Sequence, residues 1–242
     1  MDSPFSGARS LQERLQGGIR EHVFRWCQIQ NERNPRRKNE RIMLPRFTKR
    51  LLTEVDWRLL SRFLFTFAWK GRLAVAAFKR RIRNGNHVPA FLFVSVTDRC
   101  NLACQGCWVS QLDPPRELSF TDLDNIVADQ KQHKSYFFGI LGGEPLLHDD
   151  LFNVMAKHPD CYFQVFTNGT VLTDDVAAEM RRLGNVTPLI SIEGDREVSD
   201  VRRGGENVYQ RSMEGLENCR RHKLVTGVST SLCRSNLDEL AS

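Results

Sequence analysis

From residue 91 onward the chain alternates between two hydrophobic periods. Apolar runs rich in Phe, Val and Ile fall at 91–96, 136–141, 161–166 and 186–192, a more mixed stretch follows at 224–232, and each reads as a strand. Helix-period stretches separate them, several with a start signal. Ser119-Phe120-Thr121-Asp122 precedes Leu123, Ile126 and Val127, and a short helix is expected over about 149–157. Thr173 caps the next, with Asp174 and Asp175 in its first turn and Gly184 as its stop. A helix over about 207–222 precedes the last run, and Ser235-Asn236-Leu237-Asp238 opens another. Strands alternating with helices predict a parallel sheet with right-handed crossovers.

Upstream the pattern differs. Leu51, Leu52, Val55, Leu59, Leu60, Phe63, Leu64, Phe67 and Ala68 recur at helical spacing, and Trp57, Phe65 and Trp69 widen the apolar face. Gly71 is expected to interrupt, after which Leu73, Val75, Ala76 and Phe78 lead into Lys79-Arg80-Arg81-Ile82-Arg83. This predicts two basic amphipathic helices. The resulting division is a weakly ordered polar lead-in at 1–46, a helical extension at 47–90 and an α/β core at 91–242.

Charge reinforces that division. Residues 1–90 carry 20 Lys+Arg against 7 Asp+Glu, whereas residues 91–242 carry 15 against 22, so the overall +6 hides a basic first part and an acidic core. Two readings fit the basic helices. They pack on the core with their arginines in water, or they meet an anionic membrane surface, which interleaved Trp, Phe and Lys/Arg suit. No base-reading motif accompanies the charge, so no nucleic-acid partner is expected. No run of 18 uncharged apolar residues and no secretory signal occurs. Seven cysteines without a disulfide-like framework fit a reducing compartment. The expected location is cytoplasmic, peripheral on the inner face of the membrane if the basic segment docks there.

Three of those cysteines, Cys100, Cys104 and Cys107, stand just past the first apolar run at spacings of four and three. A loop leaving a strand can turn three thiolates toward one point, as an iron–sulfur cluster requires. A structural zinc site wants four closed ligands, and no fourth Cys or His lies nearby in sequence. Three thiolates on a four-iron cluster leave one iron open. The second strand ends in Gly142-Gly143-Glu144-Pro145, where paired glycines allow close backbone approach and carbonyl and carboxylate groups can accept from an ammonium group.

The cysteine loop followed by Gly-Gly-Glu-Pro one βα unit later resembles the radical S-adenosylmethionine (SAM) superfamily, over roughly residues 91–242. The resemblance implies a partial (β/α)6 barrel with its site at the C-terminal strand ends. Here only five βα units are read, so the chain is expected to be an incomplete enzyme, its fifth strand a bare edge unless residues 47–83 cover it. The implied cofactors are a [4Fe–4S] cluster on Cys100, Cys104 and Cys107, and SAM. The cluster reductively cleaves SAM to a 5′-deoxyadenosyl radical that abstracts hydrogen from substrate, and a flavodoxin or ferredoxin supplies the electron.

Carried over by position, Glu144 and the Gly142–Gly143 backbone look like contacts to the SAM amino group, and Ser191 and Glu193 resemble a polar pair near the ribose. Arg203 matches an arginine that pairs with the SAM carboxylate, with Arg202 as the alternative. Asn168 shapes the third-strand turn and is a weaker ligand candidate. Gly106 precedes the third cysteine where many relatives have an aromatic residue, and Trp108 follows it instead, which alters the adenine contact. Cys27, Cys161, Cys219 and Cys233 read as ordinary buried thiols, Cys233 alone lying where it could approach the site. The substrate is unassigned, with a lipid suggested by the basic segment. The competing readings are an iron–sulfur electron carrier or sensor without SAM turnover, a peptide-modifying relative, and a zinc-binding interaction module.

Overall fold

A computed structural model describes residues 53–109, 111–234, 236 and 237. The expected lead-in, residues 47–52, Cys27 and most of the helix start at Ser235–Asp238 lie outside the described residues. Five parallel strands, β1 (Leu92–Ser95), β2 (Phe137–Leu141), β3 (Tyr162–Thr167), β4 (Val186–Ser191) and β5 (Gly227–Ser229), pair in sequence order. The helices are α1 (Trp57–Leu64), α2 (Gly71–Arg83), α3 (Phe120–Gln132), α4 (Leu151–Lys157), α5 (Asp174–Leu183), α6 (Arg196–Arg203) and α7 (Val208–Arg221). The expected α/β partial barrel is therefore present, with the predicted caps. Ser119 and Asp122 form a capping box on α3, Thr173 caps α5, and Gly184 ends α5 at φ 70°.

Successive strand side chains point to opposite faces of the sheet. On one face Phe138, Ile140, Phe163, Val165 and Ile190 are buried with Val127, Met155, Met180 and Cys219 of the helices. Each large side chain there contributes about 1.5–3 kcal/mol of apolar burial. The concave face is layered. At the N-terminal strand ends Phe137 stacks on Tyr162 at 6.3 Å, Phe91 meets Phe137 edge-on at 5.8 Å, and Tyr162 OH bonds Thr187 Oγ1 at 2.7 Å. Above them the Phe93 ring lies across Gly139, where any Cβ would overlap it.

The basic segment caps the N-terminal end of this barrel. Phe63 packs against Tyr162 at 5.4 Å and Phe67 against Phe137 at 5.6 Å, while Leu59 and Leu60 are buried. Its cations donate to backbone carbonyls at the ends of the barrel helices and in the adjoining loops. Arg58 reaches Arg181 O, Arg62 reaches Leu183 O and Pro159 O, Lys70 reaches Asp160 O, and Arg81 reaches His133 O. Cations commonly satisfy such orphan carbonyls. The segment and the barrel form one compact unit from Leu52 onward. These contacts lie at the strand starts, so among the described residues the segment does not take up the alternative of covering the β5 edge.

Three further expectations change. Gly71 does not interrupt: its φ of −60° and ψ of −43° continue the helix, and the irregularity is the π-helical turn Phe65–Lys70 before it. A Cβ at Gly71 would make only ordinary contacts, so nothing there demands a break. The fifth strand shrinks from 224–232 to Gly227–Ser229 because the following chain bends to bond the β4 end, with Thr230 Oγ1 donating to Ile192 O and Ser231 N to Glu193 Oε2. Val225 packs on the core whereas Val228 is exposed. Helix α6 was not expected, since its sequence lacks an apolar stripe. Among the described residues no helix is long and apolar enough to cross a membrane.

Candidate functional site

The cysteine loop is held from three sides. Before Cys100, the chain zips along the end of β2, with Gly143 N donating to Thr97 O at 2.7 Å and Glu144 N to Arg99 O at 2.9 Å. This approach requires the glycine pair. A Cβ on Gly142, at φ 154°, would stand 2.6 Å from Thr97 O, and one on Gly143 would overlap Arg99 O. After Cys100, the Asn101 amide bonds Thr170 Oγ1 and Asn168 in the loop after β3. Further on, the loop docks on the end of α6. Gln105 N donates to Arg202 O at 2.8 Å, and a Cβ on Gly204, at φ 65°, would overlap Ala103 O.

Glu144 is fully buried, and its carboxylate turns into the protein. Oε1 accepts from Thr167 Oγ1 at 2.7 Å and Leu146 N at 3.1 Å, and Oε2 accepts from Asn168 N at 2.8 Å. Burial pushes its carboxyl above the ordinary range, opposed by those hydrogen bonds and more weakly by the Arg203 charge. Asn168 spends its side chain on its own turn: Oδ1 accepts from Thr170 N and Thr170 Oγ1, and Nδ2 donates to Asn101 Oδ1.

Helix α6 sets the charged wall. Arg203 Nη2 pairs with Glu193 Oε1 at 2.6 Å, Arg202 Nη2 lies 3.5 Å from Glu193 Oε2, and all three side chains are largely buried. Arg203 Nη1 lies 3.8 Å from Cys104 Sγ, and its Nε is buried without a hydrogen-bond partner. Arg202 Nη1 contacts Cys233 Sγ at 2.6 Å, so Cys233, only partly buried, is joined to this wall through Arg202 and is not the ordinary buried thiol expected from the sequence. Cys161 and Cys219 are buried, with thiols pushed up by desolvation to about 12 and about 11, and so stay protonated.

These parts enclose a cavity of about 350 Å³ at the C-terminal strand ends. Cys100, Cys104, Cys107, Gly142, Gly143, Asn168, Ser191, Glu193 and Arg203 all line it, and Glu144 alone of the expected contact residues does not. Sequence reasoning passed over Leu141, Phe166, Ser229 and Ser231, which also line it. The alternation of Ser191 with Glu193 on the neighbouring strand was the available signal for the two serines. Burial raises the Cys100 thiol, followed by the charges of Glu144, Cys104 and Cys107. Among the described residues no three Cys, His, Asp or Glu side chains converge closely enough to share one metal ion. Thiolates bound to separate irons stand farther apart than ligands on one zinc, and the lining holds no histidine or fourth cysteine. The donor set therefore fits a three-thiolate cluster.

The sequence model of the Radical SAM superfamily matches residues 94–241. The chain is 30% identical over 165 residues to the pre-heme d1 synthase of Dinoroseobacter shibae, covering 66% of this chain and 40% of that protein. It is 30% identical over 167 residues to the mycofactocin maturase MftC of Mycolicibacterium smegmatis, covering 66% of this chain and 42% of that one. The solved structure of Streptococcus suis SuiB bound to precursor peptide SuiA has the same fold in the shared part, with a TM-score of 0.55 at 19% identity, over 70% of this chain and 39% of that one. The chain thus spans about two fifths of the length of these relatives.

Proposed function

The chain belongs to the radical SAM superfamily, whose members use a [4Fe–4S] cluster and SAM, and we propose that it is part or all of an enzyme that cleaves SAM reductively. The observation that carries this reading is one cavity lined by Cys100, Cys104 and Cys107 on one side and by the Gly142–Gly143 backbone, Ser191 and Arg203 on the other. When bound and reduced, such a cluster would supply the one electron that breaks the S–C5′ bond of SAM, releasing methionine and a 5′-deoxyadenosyl radical able to take hydrogen from substrate. The three thiolates hold the cluster. The Gly142–Gly143 carbonyls accept from the SAM ammonium group. Arg203, its guanidinium held by Glu193, would pair with the SAM carboxylate, and Ser191 would bond the ribose. Glu144 acts behind this wall, locking the β2 end to the β3 end.

The electron comes from a reductant protein such as a flavodoxin or ferredoxin. By their names, the relatives include heme-related synthases and peptide maturases, and either class suits a cavity of mixed polar and apolar lining at the strand ends. A lipid substrate gains nothing from the basic segment, which sits at the opposite end of the barrel. A separate role for that segment is peripheral contact with an anionic membrane: Trp57, Phe65 and Trp69 are exposed, and so are Arg72, Arg80 and Arg83 further along the same helical stretch. Anaerobic reconstitution with iron and sulfide, then reduction with SAM present, tests the main reading by the yield of 5′-deoxyadenosine. A brown protein that leaves SAM intact is an electron carrier, and a colourless one that binds zinc is neither.

A further inference from the structure

Cys100 is followed by a residue whose side chain belongs to a closed hydrogen-bond ring. Asn101 Nδ2 donates to Thr170 Oγ1 at 2.8 Å, Thr170 Oγ1 donates to Asn168 Oδ1 at 2.6 Å, and Asn168 Nδ2 donates to Asn101 Oδ1 at 2.9 Å. One backbone group fixes every direction in this ring. Thr170 N donates to Asn168 Oδ1 at 2.8 Å, so Asn168 cannot be flipped without setting donor against donor. Asn168 Nδ2 must then face an acceptor on Asn101, which leaves the Asn101 NH2 facing the Thr170 hydroxyl. The hydroxyl, having accepted, donates onward.

The ring is anchored in the buried part of the barrel. Asn168 N donates to the Glu144 carboxylate, and Asn168 O accepts from Ser212 Oγ on α7 at 2.7 Å. Cys107, by contrast, is exposed, and the backbone hydrogen bond of its own amide runs only to Cys104 O, at 3.3 Å. The two ends of the cysteine loop are thus held to different degrees.

We propose that Asn101 and Thr170 are positioning residues for the cluster. The ring presets Cys100 against the β3 loop before any iron arrives, and Cys107 closes onto the cluster last. This rests on the three cysteines being the cluster ligands, and the test separates the two claims. In the full metal-free chain, alkylation of each thiol by iodoacetamide is followed by mass spectrometry. Asn101→Ala and Thr170→Val are expected to raise the Cys100 rate about tenfold while leaving the already exposed Cys107 unchanged, since losing one or two hydrogen bonds corresponds to a change of that order. Thr170→Ser keeps the hydroxyl and restores the parent rate.

In the reconstituted protein, the same two variants are expected to lose iron to a chelator about tenfold faster and to shift the electron paramagnetic resonance spectrum of the reduced cluster, again with rescue by Thr170→Ser. Parent-like Cys100 alkylation in both Asn101→Ala and Thr170→Val would overturn the proposal, as would equal acceleration at all three cysteines, which marks general loosening. A parent chain that takes up no iron defeats the cluster reading, and the alkylation result still decides the positioning claim.

Discussion

The two ends of the barrel solve different problems with the same strands. At the N-terminal end, Phe91, Phe137 and Tyr162 fill the interior, Phe63 and Phe67 cover them, and basic side chains satisfy backbone carbonyls. At the C-terminal end Ser, Cys, Glu and Arg side chains join Leu141, Phe166 and Trp108 around a cavity, with a buried carboxylate and an amide ring behind it. Interior aromatic packing gains stability from area and needs no specific chemistry. Polar groups at the other end gain little net stability, because each replaces a bond to water, but they fix direction. Stability and ligand geometry therefore reside in separable layers, and substitutions at the two ends should fail differently.

The sharpest break is Cys104→Ala. It should reduce bound iron after reconstitution to background while leaving thermal unfolding near the parent's, because that side chain lines a cavity rather than the core. Cys161→Ala, buried toward the start of β3, should keep iron content near the parent's. Iron analysis and a melting curve on both variants check this. Equal iron in Cys104→Ala and the parent would remove Cys104 from the ligand set.

Tyr162→Ala is the mirror experiment. This side chain is fully buried, stacked on Phe137 and bonded to Thr187, and its truncation should cost about 3–5 kcal/mol by denaturant unfolding. Cluster loading of the fraction still folded should not change. A loss of loading out of proportion to the loss of fold would show that the two ends are coupled.

Arg203→Ala acts inside the polar end. It should weaken SAM binding more than cluster assembly, by about 1.5–3 kcal/mol, roughly ten- to a hundredfold in affinity. Titration of SAM into the reconstituted variant measures this. Unchanged affinity moves the role to Arg202, which contacts the same Glu193.

Glu144→Gln probes the layer between the ends. The folded-state value of Glu144 is raised by burial, so its contribution to stability is fully present below its ordinary 4.5 and is lost as pH rises through the raised value. Asp124 and Asp160 are held low by Lys157 and Lys131, and their contributions vanish in the opposite direction, as pH falls. Subtracting the variant's stability from the parent's isolates Glu144. The difference should shrink as pH rises above about 4.5, and a flat or rising difference would mean that the three hydrogen bonds outweigh burial.

How much of this was readable in the chain depended on whether a local pattern sufficed. Cys100, Cys104 and Cys107 with Gly142 and Gly143 announced the site because spacing within one loop and one turn is a local property. Strands β2, β3 and β4 were readable from apolar runs whose burial is two-sided, whereas β5, partly exposed at the edge, was overextended. Helix α6 was missed because Arg196–Arg203 offers no apolar period, although Asp195 as N-cap, Arg202 and Arg203 in the last turn and Gly204 as stop were all present. The direction of the Glu144 carboxylate could not be read, since it depends on Thr167 and Asn168 from another strand. The basic segment misled for a similar reason. Its charge looked like a surface property, yet Arg62 and Arg81 are spent on carbonyls distant in sequence.

The smallest expected effect on stability falls on the outer face of that segment and separates its two surfaces. Trp57 is 69% exposed and Trp69 is 60% exposed, whereas Leu59 and Leu60 one turn away are buried against the barrel. Truncating an exposed side chain away from caps and networks usually changes stability by no more than about 0.5 kcal/mol. Trp57→Ala with Trp69→Ala should therefore unfold like the parent. If the outer face serves an anionic membrane, the same pair should lose co-sedimentation with anionic vesicles at low salt. The parent's binding should fade as salt shortens the range of the attraction, and neutral vesicles should not bind either protein. A parent that ignores anionic vesicles at low salt would leave the segment with its structural role alone, as the cap on the aromatic end of the barrel.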